Sequence, residues 1–221
     1  MPSSPDPSRR GLFFSFEGID GSGKSTQATL LAEWLLQTGY PVLAVREPGG
    51  TPLGEEIRRL LLDPDTEAQP RAELLLFAAA RAQLVQTVIR PALDSGTHVI
   101  ADRYIDSTIA YQGAGRRLAT SIDLDGLSAL ATGGLEPDRT YLITIPLDEA
   151  ARRRSTRQVD RMEQQADDFR ERVAGAYQEV ADRHQRRVVT FDGRMPISDI
   201  QRSIQLDALK LITTHKVDKI L

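Results

Sequence analysis

Residues 18–25 read Gly-Ile-Asp-Gly-Ser-Gly-Lys-Ser, between two segments of different periodicity. Before them, Leu12-Phe13-Phe14-Ser15-Phe16 is a short apolar run of strand character. After them, Ala28, Leu30, Leu31, Leu35 and Leu36 recur at helical spacing. The stretch fits G-x-x-x-x-G-K-[ST] at every fixed position. A strand, a glycine loop and a helix in that order constrain the fold more than any other feature, because they aim backbone N–H groups at a polyphosphate. Gly18, Gly21 and Gly23 permit the positive φ such a loop needs. Lys24 is placed to reach β- and γ-phosphates, and the Ser25 hydroxyl to help hold Mg²⁺. With Ile19, Asp20, Ser22 and Thr26, these residues form the expected cradle of a nucleoside triphosphate. The alternative, an ordinary Gly/Ser turn, leaves the full pattern and its strand–helix context unexplained.

Four more β-like segments follow, at Val42–Val45, His98–Ala101, Thr140–Ile145 and Val188–Phe191. They are short and rich in Val, Ile and Leu, as strands buried on both faces should be. Helical patterns separate them. Thr51 is placed to cap a helix starting at Pro52. A long amphipathic stretch from Arg71 to about Asp94 should kink near Pro91 and stop at Gly96. Further helices are expected over Asp123 to Thr132, Asp167 to His184 and Ile197 to Ile212. Alternating β and α elements predict an α/β fold, a five-stranded parallel sheet with helices on both faces in the doubly wound manner.

The length of 221 residues suits one such domain. It is expected to span residues 11–212, with residues 1–10 as a disordered Pro/Ser-rich leader and 213–221 as a tail. The net charge of −3 gives no global basic field pointing to nucleic acid or an anionic membrane. The apolar runs fall short of the roughly 20 residues of a spanning helix. There are no cysteines, which excludes disulfides and thiolate zinc sites. The three histidines, His98, His184 and His215, show no metal-ligand spacing. The expected compartment is the cytoplasm.

Ligands of such sheets bind outside the carboxyl ends of the strands. There, strand two runs into Arg46-Glu47-Pro48-Gly49-Gly50 and strand three into Asp102-Arg103-Tyr104. Asp102 stands where a Mg²⁺-associated acid is expected. Arg46 and Arg103 beside a phosphate loop imply a second anionic subsite, since guanidinium groups suit bidentate phosphate contact.

Several segments make the resemblance specific. They are Phe-Glu-Gly-Ile-Asp-Gly-Ser-Gly-Lys-Ser-Thr (16–26), Arg-Glu-Pro-Gly-Gly-Thr (46–51), Leu-Phe-Ala-Ala-Ala-Arg (76–81), Asp-Arg-Tyr (102–104), Ser-Thr-Ile-Ala-Tyr-Gln-Gly (107–113) and Asp-Arg-Met-Glu (160–163). In order and spacing the chain resembles the thymidylate kinases (dTMP kinases) of bacterial type, from about residue 12 to 212.

The resemblance implies transfer of the ATP γ-phosphoryl group to dTMP, with Mg²⁺, usually by a homodimer. Asp20 would contact the acceptor 3′-hydroxyl, and Arg46 and Arg103 would bind its phosphate. Phe77 would stack on thymine, Arg81 would donate to a ring carbonyl, Tyr111 would crowd the 2′ position, and Gln112 would lie close to the base. Ser107 belongs to the same matched acceptor segment. Arg152 would lie against adenine, and residues 155–165 would form a short mobile lid. Phe77 and Arg81 stand at i and i+4, so they share a helix face. Arg152, Arg153, Arg154, Arg157 and Arg161 crowd into one run, while no basic residue lies between Gly18 and Gly23. The catalytic arginine is therefore expected from the lid, with Arg154 and Arg157 assigned beside Lys24, Asp20 and Arg103. The register of the run leaves Arg153 open as well. Two rival functions are another nucleoside monophosphate kinase on the same scaffold and a nucleotide-dependent switch; the second needs no acceptor phosphate site.

Overall fold

The computed structural model describes residues 10–154 and 166–217. Five parallel strands form one sheet: β1 (Phe13–Glu17), β2 (Val42–Arg46), β3 (His98–Asp102), β4 (Arg139–Thr144) and β5 (Val188–Asp192). Their order is β2-β3-β1-β4-β5. The chain moves out from β1 to β2, returns to β3, and crosses β1 to reach β4 and β5. The winding reverses at β1, so a crevice opens at its carboxyl end.

β1 is buried along its whole length because both of its faces carry core. Phe14 and Phe16 pack with Leu31 and Leu35 of α1 (Lys24–Gln37) and with Ile204 and Ile212 of α9 (Ile197–Val217). Phe13 points the other way, against Leu84, Ile89, Leu93 and Tyr104. This is the two-residue alternation of a strand. Ser15, on the Phe13 side, is fully buried and satisfied by Thr140 Oγ1 at 2.7 Å.

The remaining helices are α2 (Pro52–Leu62), α3 (Pro70–Leu84), α4 (Arg90–Asp94), α5 (Ile105–Thr108), α6 (Leu124–Thr132), α7 (Leu147–Arg154) and α8 (Asp167–Arg183). Thr51 caps α2 as expected, its hydroxyl accepting from Gly54 N at 2.9 Å. The stretch expected as one helix kinked at Pro91 is continuous from α3 to α4 but passes through a π-helical segment, Val85–Ile89. Pro91 has no N–H to give and its ring crowds the carbonyl of Thr87; widening the preceding turn accommodates both. A second π segment, Ile109–Gly115, continues α5 and carries Tyr111 and Gln112.

Residues Pro70–Asp94 together are long and apolar enough to cross a membrane by length and composition alone, which the reading of shorter apolar runs did not foresee. Yet Leu74, Ala80, Leu84, Val85, Ile89 and Leu93 are buried, and Glu73 and Arg81 are held in ion pairs. Those are the features of a core helix. The described residues at either end make ordered contacts of their own. Arg10, assigned to the leader, pairs with Asp138 at 3.2 Å. α9 runs on to Val217 instead of stopping at Ile212, and His215 Nε2 meets the Arg10 carbonyl at 3.1 Å.

Candidate functional site

The phosphate loop joins β1 to α1. Gly18 has φ 138°, and a Cβ there would lie 2.3 Å from the Ile143 carbonyl oxygen. Gly23 has φ 100°, and a Cβ added there would meet nothing within 4 Å, so the loop leaves a cradle over the start of the helix. α1 has no side-chain cap at Gly23. Its first N–H groups are therefore available to an anion. Ser22 Oγ, buried at the loop, has no hydrogen-bond partner among the described residues. Lys24 Nζ lies 3.3 Å from Asp20 Oδ1. Burial and the nearby Arg103 charge push the Lys24 ammonium below its usual range, while Asp20 opposes the shift.

Two cavities flank this loop. One, of about 220 Å³, brings together Asp20, Lys24, Ser25, Arg46, Phe77, Arg81, Asp102, Arg103, Ser107, Tyr111 and Gln112. All of the expected acceptor residues thus line one space. Parallel pairing sets Arg46 beside Asp102 across β2 and β3, and Arg103 follows directly. Arg46 is largely exposed and pairs with Glu55 at 3.1 Å.

Arg103 is the most heavily bonded of these side chains. Its Nη2 donates to Asp20 Oδ1 at 2.5 Å and Tyr111 Oη at 3.0 Å. Its Nη1 donates to Gly18 O, Ser107 Oγ and Tyr177 Oη, each at 3.1 Å. Its φ of 74° lies in the left-handed region, a strain of roughly 1–3 kcal/mol that surrounding bonds must hold. Tyr111 Oη also donates to Asp20 Oδ2 at 3.1 Å. Burial disfavours the Asp20 charge, but Arg103 and Lys24 outweigh it and hold the carboxyl well below the usual range.

Phe77 and Arg81 do share one face of α3. Phe77 is half-buried against Ile57 and Leu61. Arg81 is 3% exposed and locked from behind. Its Nε donates to Glu47 Oε2 at 2.7 Å, Nη1 to Thr108 Oγ1 at 2.7 Å and Nη2 to Tyr104 O at 2.9 Å. Gln112 Nε2 donates to the buried Glu73 carboxylate at 3.0 Å.

The second cavity, about 500 Å³, runs from the loop to Gly193, Met195 and Ile197. The arginine lining it is Arg153, not the expected Arg152. Arg153 donates to Gly193 O at 3.1 Å and lies near Gly21 O. Arg152 points to the exposed side of α7, beside Asp148 and Glu149. Arg154 closes α7. Arg157 and the lid expected at 155–165 lie outside the described residues.

A divalent cation fits the junction of the two cavities. Asp102 Oδ1 is buried without a hydrogen-bond partner among the described residues, and Ser25 lines both spaces. No cluster of three or more His, Cys, Asp or Glu residues occurs among the described residues. One carboxylate, one hydroxyl and substrate phosphates form the usual donor set for Mg²⁺.

Sequence reasoning passed over Glu17, Glu47, Arg58, Thr108 and Tyr177. Glu47 and Arg58 line the smaller cavity, and Glu47 Oε1 is buried without a partner among the described residues. The signal for Glu47 is its place in the Arg-Glu-Pro-Gly-Gly segment; Arg58, further on in α2, carries none. Tyr177 lies far along the chain and offers no local signal.

Comparison with known proteins agrees with this geometry. Residues 16–204 match the family model described as thymidylate kinase. The chain is 44% identical over 194 residues to the thymidylate kinase of Neisseria meningitidis serogroup B, covering 87% of this chain and 94% of that one. It is 49% identical over 170 residues to that of Thermosipho melanesiensis, covering 77% and 84%. It is 44% identical over 205 residues to that of Prochlorococcus marinus, covering 89% and 97%. The chain belongs to the thymidylate kinase family.

Proposed function

We propose that this chain transfers the γ-phosphoryl group of ATP to dTMP, giving dTDP and ADP. The carrying observation is a single cavity that holds the phosphate loop, the Arg46–Arg103 pair and the Phe77–Arg81 face together. The acceptor phosphate sits between Arg46 and Arg103. Asp20, kept ionised by Arg103 and Lys24, accepts from the sugar 3′-hydroxyl. Phe77 covers the base, and Arg81 donates to its carbonyl at position 4. Tyr111 closes the sugar side beside Ser107, and Gln112 lies at the base edge.

ATP lies along the loop from Gly18 to Thr26, with its base toward Met195 and Ile197 and beside Arg153. Lys24 exchanges its Asp20 contact for the transferring phosphate. Ser25 and Asp102 hold Mg²⁺, which when bound neutralises charge on the phosphate oxygens. Arg154 and Arg157 bring further positive charge to the reacting group. Little covalent chemistry falls to the protein; positioning and electrostatic stabilisation carry the rate.

The enzyme works in the cytoplasm as a homodimer. Leu53, Leu60, Leu75 and Leu130 are exposed on α2, α3 and α6, where a second copy would cover them. Sedimentation giving a monomer at working concentration would refute the dimer. A coupled assay of ADP release tests the activity: release should depend on dTMP. Equal release without acceptor would favour a hydrolytic switch protein, and preference for another monophosphate would reassign the acceptor.

A further inference from the structure

Glu17 ends β1, just before the phosphate loop, and is fully buried. Its Oε1 accepts from Tyr104 N at 2.7 Å. Its Oε2 accepts from Ser107 Oγ at 2.6 Å and from Tyr177 Oη at 3.0 Å. The same two hydroxyl oxygens accept from Arg103 Nη1. Arg103 can only donate, and the Glu17 carboxylate, ionised above its raised value of about 7, can then only accept. The bonds therefore run one way, from guanidinium through hydroxyl to carboxylate. Ser107 Oγ and Tyr177 Oη also lie 2.9 Å from each other; when both donate to Glu17, their lone pairs face Arg103.

We infer that Glu17 is a positioning residue for the acceptor phosphate. Through Ser107 and Tyr177 it holds the Arg103 guanidinium in place, and through Tyr104 N it pins the strained backbone at Arg103. The inference rests on the reading of Arg103 as an acceptor-phosphate ligand. Glu17 touches no substrate; β1, α5 and α8 meet in its hydrogen bonds. An amide at position 17 keeps the shape, but its NH2 faces either the two hydroxyls that share Oε2 or the Tyr104 N–H at Oε1. In the first case the hydroxyls must turn lone pairs from Arg103 toward the amide; in the second the pin on the strained backbone at Arg103 is lost.

A double-mutant cycle on the full-length enzyme tests this. Glu17→Gln should lower kcat/KM for dTMP by about tenfold or more, the scale of one charge-assisted hydrogen bond. The Kd of a non-hydrolysable ATP analogue should stay within about twofold, because the loop backbone is untouched. In an Arg103→Lys background the same change should cost less than about twofold, since the group it acts through is already gone. Tyr177→Phe, which removes one arm, should give a smaller loss confined to dTMP. The inference is overturned if Glu17→Gln keeps wild-type dTMP efficiency, or if it costs equally in both backgrounds. If Glu17→Gln fails to fold, an unchanged Tyr177→Phe enzyme overturns it instead. Undiminished dTMP use by Arg103→Lys alone would overturn the Arg103 reading and this inference with it. A dTMP-selective loss there, with Glu17→Gln unaffected, overturns this inference alone.

Discussion

The two sides of the phosphate loop are built from different materials. On the acceptor side the cations already have carboxylate partners: Arg81 with Glu47, Arg103 with Asp20, and Arg46 with Glu55. On the ATP side the loop offers backbone N–H groups at an uncapped helix start, and the one lining arginine among the described residues, Arg153, pairs with Glu149 at 2.7 Å and leans on the carbonyl of Gly193. Side chains locked from behind present fixed donors and acceptors, so they discriminate. Backbone N–H groups recognise phosphate of any origin, so they serve rate. Changes on the acceptor side should therefore alter which substrate is used. Changes in the loop should slow all substrates alike.

The largest effect tests the locked side directly. All three guanidinium nitrogens of Arg81 are engaged behind the base, and the remaining N–H of each Nη is all the side chain can present to the cavity. Thymine and uracil carry an acceptor at position 4, whereas cytosine carries a donor. We expect kcat/KM for dCMP to fall below that for dTMP by on the order of 10⁴, the cost of an unpaired group in a site built for a hydrogen bond. dUMP lacks only a methyl and should lose about 10- to 200-fold at most. Comparable efficiencies for dCMP and dTMP would remove Arg81 from base reading.

The loop side should respond without discrimination. Lys24→Ala should lower kcat by on the order of 10²–10³, the range for losing one donor to a developing anion. The loss should be the same with dTMP and dUMP. Circular dichroism should show the fold retained, since among the described residues the Lys24 side chain bonds within the loop, to Asp20. A variant that slows one acceptor much more than the other would break the division of labour.

The same division explains what could be seen in the chain beforehand. The loop was legible because its physics is local: glycines, a lysine and a helix start within a few residues. β1, β3 and β4 were legible because burial on both faces demands largely apolar runs, and the half-exposed edge strands β2 and β5 because their Val-rich runs are short and β-branched. The locks on the acceptor side were not. Arg81 meets Glu47, Thr108 and Tyr104, each more than twenty residues away, and only the fold joins them. Both π segments were missed because one extra residue per turn leaves no periodic trace over so short a length. Arg152 and Arg153 are neighbours, and which one faces the cavity depends on how α7 is rotated, which the run of arginines does not record.

The two arginines at the acceptor phosphate should differ from each other. Lysine keeps the charge but loses the planar fork. Arg103 is buried and donates to five groups, whereas Arg46 is largely exposed with one ion pair. Arg103→Lys should weaken dTMP use by roughly 10- to 100-fold and Arg46→Lys by only a few-fold. Binding of an ATP analogue should change little in either. Isothermal titration with each ligand separately decides it; a selective loss of the ATP analogue would exchange the two subsites.

The smallest effect concerns stability, and it separates the cost of the locked side from its use. Burial first, then the Asp106 carboxylate, push the Glu17 carboxyl up to about 7, against Ser107, Arg103 and the Tyr104 N–H, which favour the charge. Tyr177 donates to it as well, and Arg187 engages Asp106. A carboxyl whose folded-state value lies above its unfolded one holds its proton more tightly when folded. That contribution to stability is full below the unfolded value and disappears as pH rises through the folded one. Between pH 5 and pH 8 the native protein should therefore lose stability that Glu17→Gln, with nothing to titrate there, keeps. About 1 kcal/mol moves Tm by 2–4 °C in a domain of this size. Relative to the wild type, the Tm of Glu17→Gln should thus rise by several degrees from pH 5 to pH 8, even as its use of dTMP falls. A variant that loses both stability and dTMP use at pH 8 would make Glu17 an ordinary structural acceptor, and the charge buried behind Arg103 would have no functional account.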